Sequence, residues 1–158
     1  MLVMGTDELD EDRHFRHLGI EPLGNGFGGR ELESLARRRR APVKSFLMDA
    51  RVLVGVGNIY ASEALYRAGI HPTRSVSRIS SVRWQRLADS IRQTLSQAVQ
   101  EGGTTLNDFA DGRGREGMFQ VSLATYDREG ETCGRCGGTI RRIVQSGRST
   151  YYCPGCQR

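Results

Sequence analysis

Val54-Gly55-Val56-Gly57-Asn58-Ile59-Tyr60-Ala61-Ser62-Glu63-Ala64-Leu65-Tyr66-Arg67-Ala68-Gly69-Ile70-His71-Pro72 decides how the rest of the chain is read. Two glycines and an asparagine open it. Glycine lets backbone come close to a ligand, and Asn is a preferred helix N-cap. Ala61, Ala64, Leu65 and Ala68 then repeat at i, i+3, i+4 and i+7, one apolar face of a helix. Gly69 ends the helix and Pro72 prevents a restart. The first turn of such a helix offers backbone N–H groups and a positive dipole end, which suits phosphate. A tight turn into a buried helix fits the same residues equally well.

Outward from this stretch, the totals narrow the class. A length of 158 residues suits one domain or two small ones, and a hydrophobic content of 37% argues against a large core. No run of about 18 apolar residues occurs, so no membrane span is expected. The Met1–Met4 start lacks the basic flank and length of a secretory signal, which makes a reducing cytosol the expected compartment. Charge is segregated. Five of the 18 acids lie in the first 12 residues, which hold none of the 23 bases, so the remainder is far more basic than the overall +5. With a pI near 9.4, this points to nucleic acid or another acidic surface. Lys44 is the only lysine; the other bases are arginines, which fork phosphate bidentately.

Before the central stretch, Met1–Met4 reads as a strand end and residues 17–29 as a Gly- and Pro-rich linker. Arg30–Arg40 is expected to be helical, with Leu32, Leu35 and Ala36 inward and Arg37–Arg40 at its end. Those four arginines fit either phosphate contact or a solvated helix terminus. Val43–Asp49 is a short helix with Phe46 and Leu47 inward. Two helices joined by an extended piece, the second aimed by its N-terminus, form a helix-turn-helix relative. Beyond it, Ser80 or Ser81 caps a long helix to about Glu101, with Trp84, Leu87, Ala88, Ile91, Leu95 and Ala98 as its core stripe. Residues 110–117 hold three glycines and read as a loop, a lid over a base or an ordinary surface loop. Phe119–Tyr126 alternates as a strand does.

All four cysteines lie near the end: Cys133, Cys136, Cys153 and Cys156, two C-x2-C pairs separated by 16 residues. Each pair supplies two thiolates from one knuckle, as tetrahedral zinc requires. Two disulfides are the alternative, and a cytosolic setting favours zinc. Four thiolates leave no open coordination position, so one structural ion is expected. Between the knuckles, Thr139–Gln145 and Arg148–Tyr152 are expected to pair as a hairpin with Ser146-Gly147 at the tip. Arg148 then projects from that tip.

Four groups of residues together resemble one family. They are Gly55–Glu63, Ala68–Pro72, Gly102-Gly103-Thr104-Thr105-Leu106, and the cysteine pairs with Arg148 ahead of Tyr151–Gln157. They resemble the bacterial formamidopyrimidine-DNA glycosylases, repair enzymes that remove 8-oxoguanine and ring-opened purines, from about His17 to Arg158. The resemblance implies a mainly α chain with a small β zinc finger: a helix–two-turn–helix module followed by a zinc β-hairpin held by four cysteines. It divides the chain into 1–16, a remnant of an N-terminal β-sandwich; 17–126, the helix–two-turn–helix domain; and 127–158, the finger. It implies that Asn58, with Gly57 beside it, contacts backbone phosphate at the lesion. It further implies that Arg39 and Lys44 contact DNA, and that Arg148 grips the phosphates around the flipped nucleotide and assists elimination. Glu63 receives no role.

The family's nucleophile is an N-terminal proline amine followed by glutamate, and this chain begins Met1-Leu2-Val3. The expectation is therefore the DNA-binding C-terminal half of a base-excision-repair glycosylase and AP lyase. It would be a monomer that binds damaged duplex, inactive alone, in the bacterial cytoplasm and associated with the nucleoid by function. Nothing in the sequence pattern buries Lys44, so it is not expected to replace the missing amine. A fragment resembling endonuclease VIII, a non-catalytic zinc-containing DNA-binding module and a protein-binding zinc ribbon are the alternatives.

Overall fold

A computed structural model describes residues 19–100 and 123–158. The proposed remnant 1–16, residues 17–18 of the linker, the Gly102–Leu106 motif, the 110–117 loop and residues 119–122 of the proposed strand lie outside them. Within the described residues, four α-helices precede one antiparallel hairpin: α1 Gly29–Leu35, α2 Val43–Met48, α3 Asn58–Ala68, α4 Ser81–Gln100, β1 Arg141–Gln145 and β2 Arg148–Tyr152. No helix among them is long and apolar enough to cross a membrane.

The amphipathic stripe of α4 organises the helical core. Trp84, Leu87, Ala88, Ile91 and Ala98 are buried against α1 and α3. The Trp84 ring meets Phe46 of α2 edge-on, with centroids 5.6 Å apart. Ser80 begins this helix, its hydroxyl accepting from Arg83 N–H at 3.3 Å. The stretch expected as a linker is pinned rather than free. Gly19 N–H donates to Ala50 O at 2.6 Å, and Ile20 forms a parallel bridge with Leu53. A Cβ on Gly19 would stand 2.1 Å from the Val52 carbonyl carbon, so only glycine permits this approach. Further on, Arg92 of α4 donates to the carbonyls of Gly24 and Phe27 and lies over the Phe27 ring.

Two expectations need correction. The helix expected over Arg30–Arg40 ends at Leu35, because the chain turns through Arg38 at φ 64°. Arg37–Arg40 consequently occupy an exposed turn rather than a helix end. Leu123–Tyr126 is also not a strand; it forms a bend and turn. Its backbone is held instead by Glu63, which is 2% exposed. Glu63 Oε1 accepts from Ala124 N–H at 2.9 Å, and Oε2 accepts from Thr125 and Tyr126 N–H at 2.8 Å each.

The hairpin has the expected register, with Gln145 opposite Arg148 and Arg141 opposite Tyr152. Ser146 and Gly147 both have positive φ, 51° and 76°, the two-residue turn that matches strand twist. The end of the chain docks on the C-terminal end of α3. Arg158 N–H donates to Gly69 O, and the buried Gln157 side chain donates to Ile70 O while accepting from Cys153 N–H.

A candidate nucleic-acid interface and its metal centre

The start of α3 differs from the expected cap. Gly57 occupies the N-cap position with extended backbone, φ −88° and ψ −175°, and no side chain caps this end. Asn58 is the first helical residue. Its side chain is drawn sideways into a network that joins three parts of the chain. Lys44 Nζ, from α2, donates to Asn58 Oδ1 and also to Thr150 Oγ1 of β2, the latter at 2.7 Å. Asn58 Nδ2 in turn donates to Ser149 O at 2.9 Å, with the Tyr126 hydroxyl at 3.4 Å. A Cβ added to Gly57 would meet nothing within 4 Å, so open space fronts the helix end.

Lys44 contradicts the expectation of an unburied lysine. It is 2% exposed, and burial, followed by the positive charge of Arg148, lowers its pKa to about 8. The burial arises because β2 folds over α2, a contact between residues 106 positions apart. The depressed pKa that the sequence pattern did not suggest is therefore present.

Arg148 is exposed at the first position of β2. It lines, with Gly57, Asn58 and Tyr126, a cavity of about 780 Å³ whose apolar lining includes Leu53, Val56 and Leu95. The chain thus brings Gly57, Asn58, Lys44 and Arg148 together. Arg39 does not join them. It lines a separate depression with Arg37, Arg38 and Arg40, and its guanidinium lies over the Phe46 ring at 5.6 Å. Sequence reasoning missed Tyr126 and Thr150, which reach Asn58 and Lys44 only through the docking of the finger.

Cys133, Cys136, Cys153 and Cys156 place their sulfurs within 4.8 Å of one another. The Cys133–Cys156 and Cys136–Cys153 separations are 3.6 and 3.4 Å. A tetrahedron with Zn–S bonds of about 2.3 Å has S–S edges of about 3.8 Å, so the cluster fits one zinc ion. Burial opposes ionisation of Cys133. Hydrogen bonds from the Tyr66 hydroxyl and from the backbone N–H groups of Cys136 and Arg135 outweigh it and set that thiol at about 6. The site is structural, since four thiolates complete the coordination.

Residues 18–110 match the family described as formamidopyrimidine-DNA glycosylase H2TH domain, and residues 130–158 match a zinc finger found in FPG and IleRS. The chain is 50% identical over 157 residues to a formamidopyrimidine-DNA glycosylase of Halorhodospira halophila, covering 99% of this chain and 57% of the relative. It is 52% identical over 141 residues to one from Burkholderia thailandensis, covering 89% and 51%. The chain therefore spans little more than half the length of these relatives. Its fold is similar to the Lactococcus lactis Fpg in complex with an abasic-site-containing DNA, with a TM-score of 0.83 and 31% identity over 97% of this chain and 56% of that one. It is also similar to the MutM (Fpg) protein from Thermus thermophilus, with a TM-score of 0.79 and 39% identity over 89% and 54%.

Proposed function

The chain belongs to the formamidopyrimidine-DNA glycosylase family, and from that premise we propose that it grips the damaged strand of duplex DNA by its sugar–phosphate backbone. The observation that carries this reading is the convergence of the open end of α3 at Gly57 and Asn58, the Lys44 amine and the exposed Arg148 guanidinium. One phosphate can meet the N–H groups and dipole of α3 while a neighbouring one meets the Arg148 fork. In this reading Asn58 acts chiefly as a keystone. Its amide fixes Lys44 and β2, so that helix end and arginine face the same strand. Arg39 contacts the duplex further along, from the Arg37–Arg40 turn.

The reading divides the work between a helix–two-turn–helix unit over 17–126 and a finger over 127–158, acting as a monomer. Base removal and elimination, with 8-oxoguanine and formamidopyrimidines as substrates, belong in this proposal to the complete enzyme. There Arg148 assists elimination, and the 158-residue chain by itself binds without cleaving. Flipping a base costs a few kcal/mol, which phosphate contacts on both sides of the lesion offset.

The test titrates the chain with a duplex containing 8-oxoguanine at several salt concentrations, then adds borohydride. Arg148→Ala should weaken binding and reduce the slope of log affinity against log salt by about 1. An unchanged slope removes Arg148 from the interface. No covalent adduct is expected. A trapped adduct refutes the binding-only reading, and its loss in Lys44→Met would assign the Schiff base to that amine.

A further inference from the structure

Tyr66 lies in the last turn of α3, 4% exposed, and its hydroxyl is 3.1 Å from Cys133 Sγ. Arg135, between the two cysteines of the first knuckle, covers the Tyr66 ring at 4.8 Å. The same guanidinium donates to Tyr66 O at 2.7 Å and to Arg67 O at 2.9 Å, two of the last carbonyls of α3. Knuckle and helix end are thus interlocked. A metal-bound cysteine is a thiolate and has no proton to give. The hydroxyl is therefore the donor, and Cys133 accepts.

We propose that Tyr66 is a positioning residue for the metal centre: its hydroxyl donates to the Cys133 thiolate, so that the helix facing DNA with one end sets with the other how firmly zinc is held. A hydrogen bond to a ligating sulfur withdraws charge from it and fixes its direction. Partners of this kind typically account for about 10- to 100-fold in metal affinity. The Arg135 fork keeps Tyr66 in register by holding the carbonyls of Tyr66 and Arg67. The proposal rests on the zinc assignment and not on DNA binding, and its readouts contain no DNA.

Tyr66→Phe keeps the ring under Arg135 and removes only the hydroxyl. Zinc affinity, measured by competition with a chromophoric chelator, is expected to fall at least about tenfold. In the cobalt-loaded protein the sulfur-to-metal charge-transfer band is expected to move to longer wavelength, because a thiolate without its donor is easier to oxidise. Site-specific Tyr66→3-fluorotyrosine makes the hydroxyl a stronger donor and should move the band the opposite way. That variant carries the test alone if Tyr66→Phe does not fold. Arg135→Met retains the hydroxyl and should move the band by less than Tyr66→Phe does. Unchanged affinity and band in Tyr66→Phe, or an equal band shift in Arg135→Met, would overturn the proposal.

Discussion

Replacing Glu63 by alanine should unfasten the segment that leads from the helices into the finger. Three consecutive backbone N–H groups, those of Ala124, Thr125 and Tyr126, converge on this one carboxylate at 2.8–2.9 Å. Each buried donor left without an acceptor costs about 1–3 kcal/mol. Water entering the vacated polar space recovers part of the total, so the expected loss is about 3–5 kcal/mol. Whole domains of this kind have about 5–15 kcal/mol of stability. At about 2–4 °C per kcal/mol, the melting temperature should fall by about 6–20 °C. Trp84, the single tryptophan, sits in the helical core and reports its unfolding by fluorescence. Amide exchange at residues 124–126 reports the clamp itself. Glu63→Gln keeps one oxygen, which can still serve Thr125 and Tyr126, but turns an NH2 toward the Ala124 N–H. It should therefore cost less than alanine and expose the Ala124 amide first. An alanine variant within about 0.5 kcal/mol of the parent, below the cost of one unsatisfied donor, or a glutamine variant worse than alanine, would refute the reasoning.

Two further outcomes follow from groups in the proposed interface and the metal centre. Lys44 titrates at about 8 in the folded chain against 10.5 when unperturbed, so the unfolded chain holds the extra proton between those values. Its contribution to stability should therefore rise with pH across that window, and Lys44→Met should remove the rise; equal pH slopes of the denaturation midpoint in the two proteins would contradict it. Chelation should separate β1 and β2 while α4 persists, because the cysteine cluster closes the two knuckles that flank the hairpin and α4 packs in a separate core; a hairpin unchanged in strong chelator, seen by amide exchange, would rule out a metal-held finger.

Local features were legible and long-range ones were not. The cysteine spacing announced its site because both knuckles are short-range turns. The α4 stripe announced its core because periodicity is a property of one helix. Lys44 misled because its burial and its lowered pKa depend on a strand about a hundred residues later. Asn58 resembled a cap by composition, yet Gly57 takes that position and frees the Asn58 amide to bind Lys44 and Ser149. Arg37–Arg40 read as the end of a helix, and only the positive φ of Arg38 shows that the chain has already turned. A glutamate in a helix says nothing about partners 61–63 residues away, which is why Glu63 carried no role beforehand.

The finger and the segment that leads into it are fastened to α3 along its whole length: Ser149 at Asn58, residues 124–126 at Glu63, Cys133 and Arg135 at Tyr66, and Arg158 at Gly69. A body bolted at several points along one rod has no axis left about which to swing. In the proposed grip on a duplex, these two parts act as a single stiff jaw. Under that proposal, any compliance lies in the nucleic acid or elsewhere in the polypeptide.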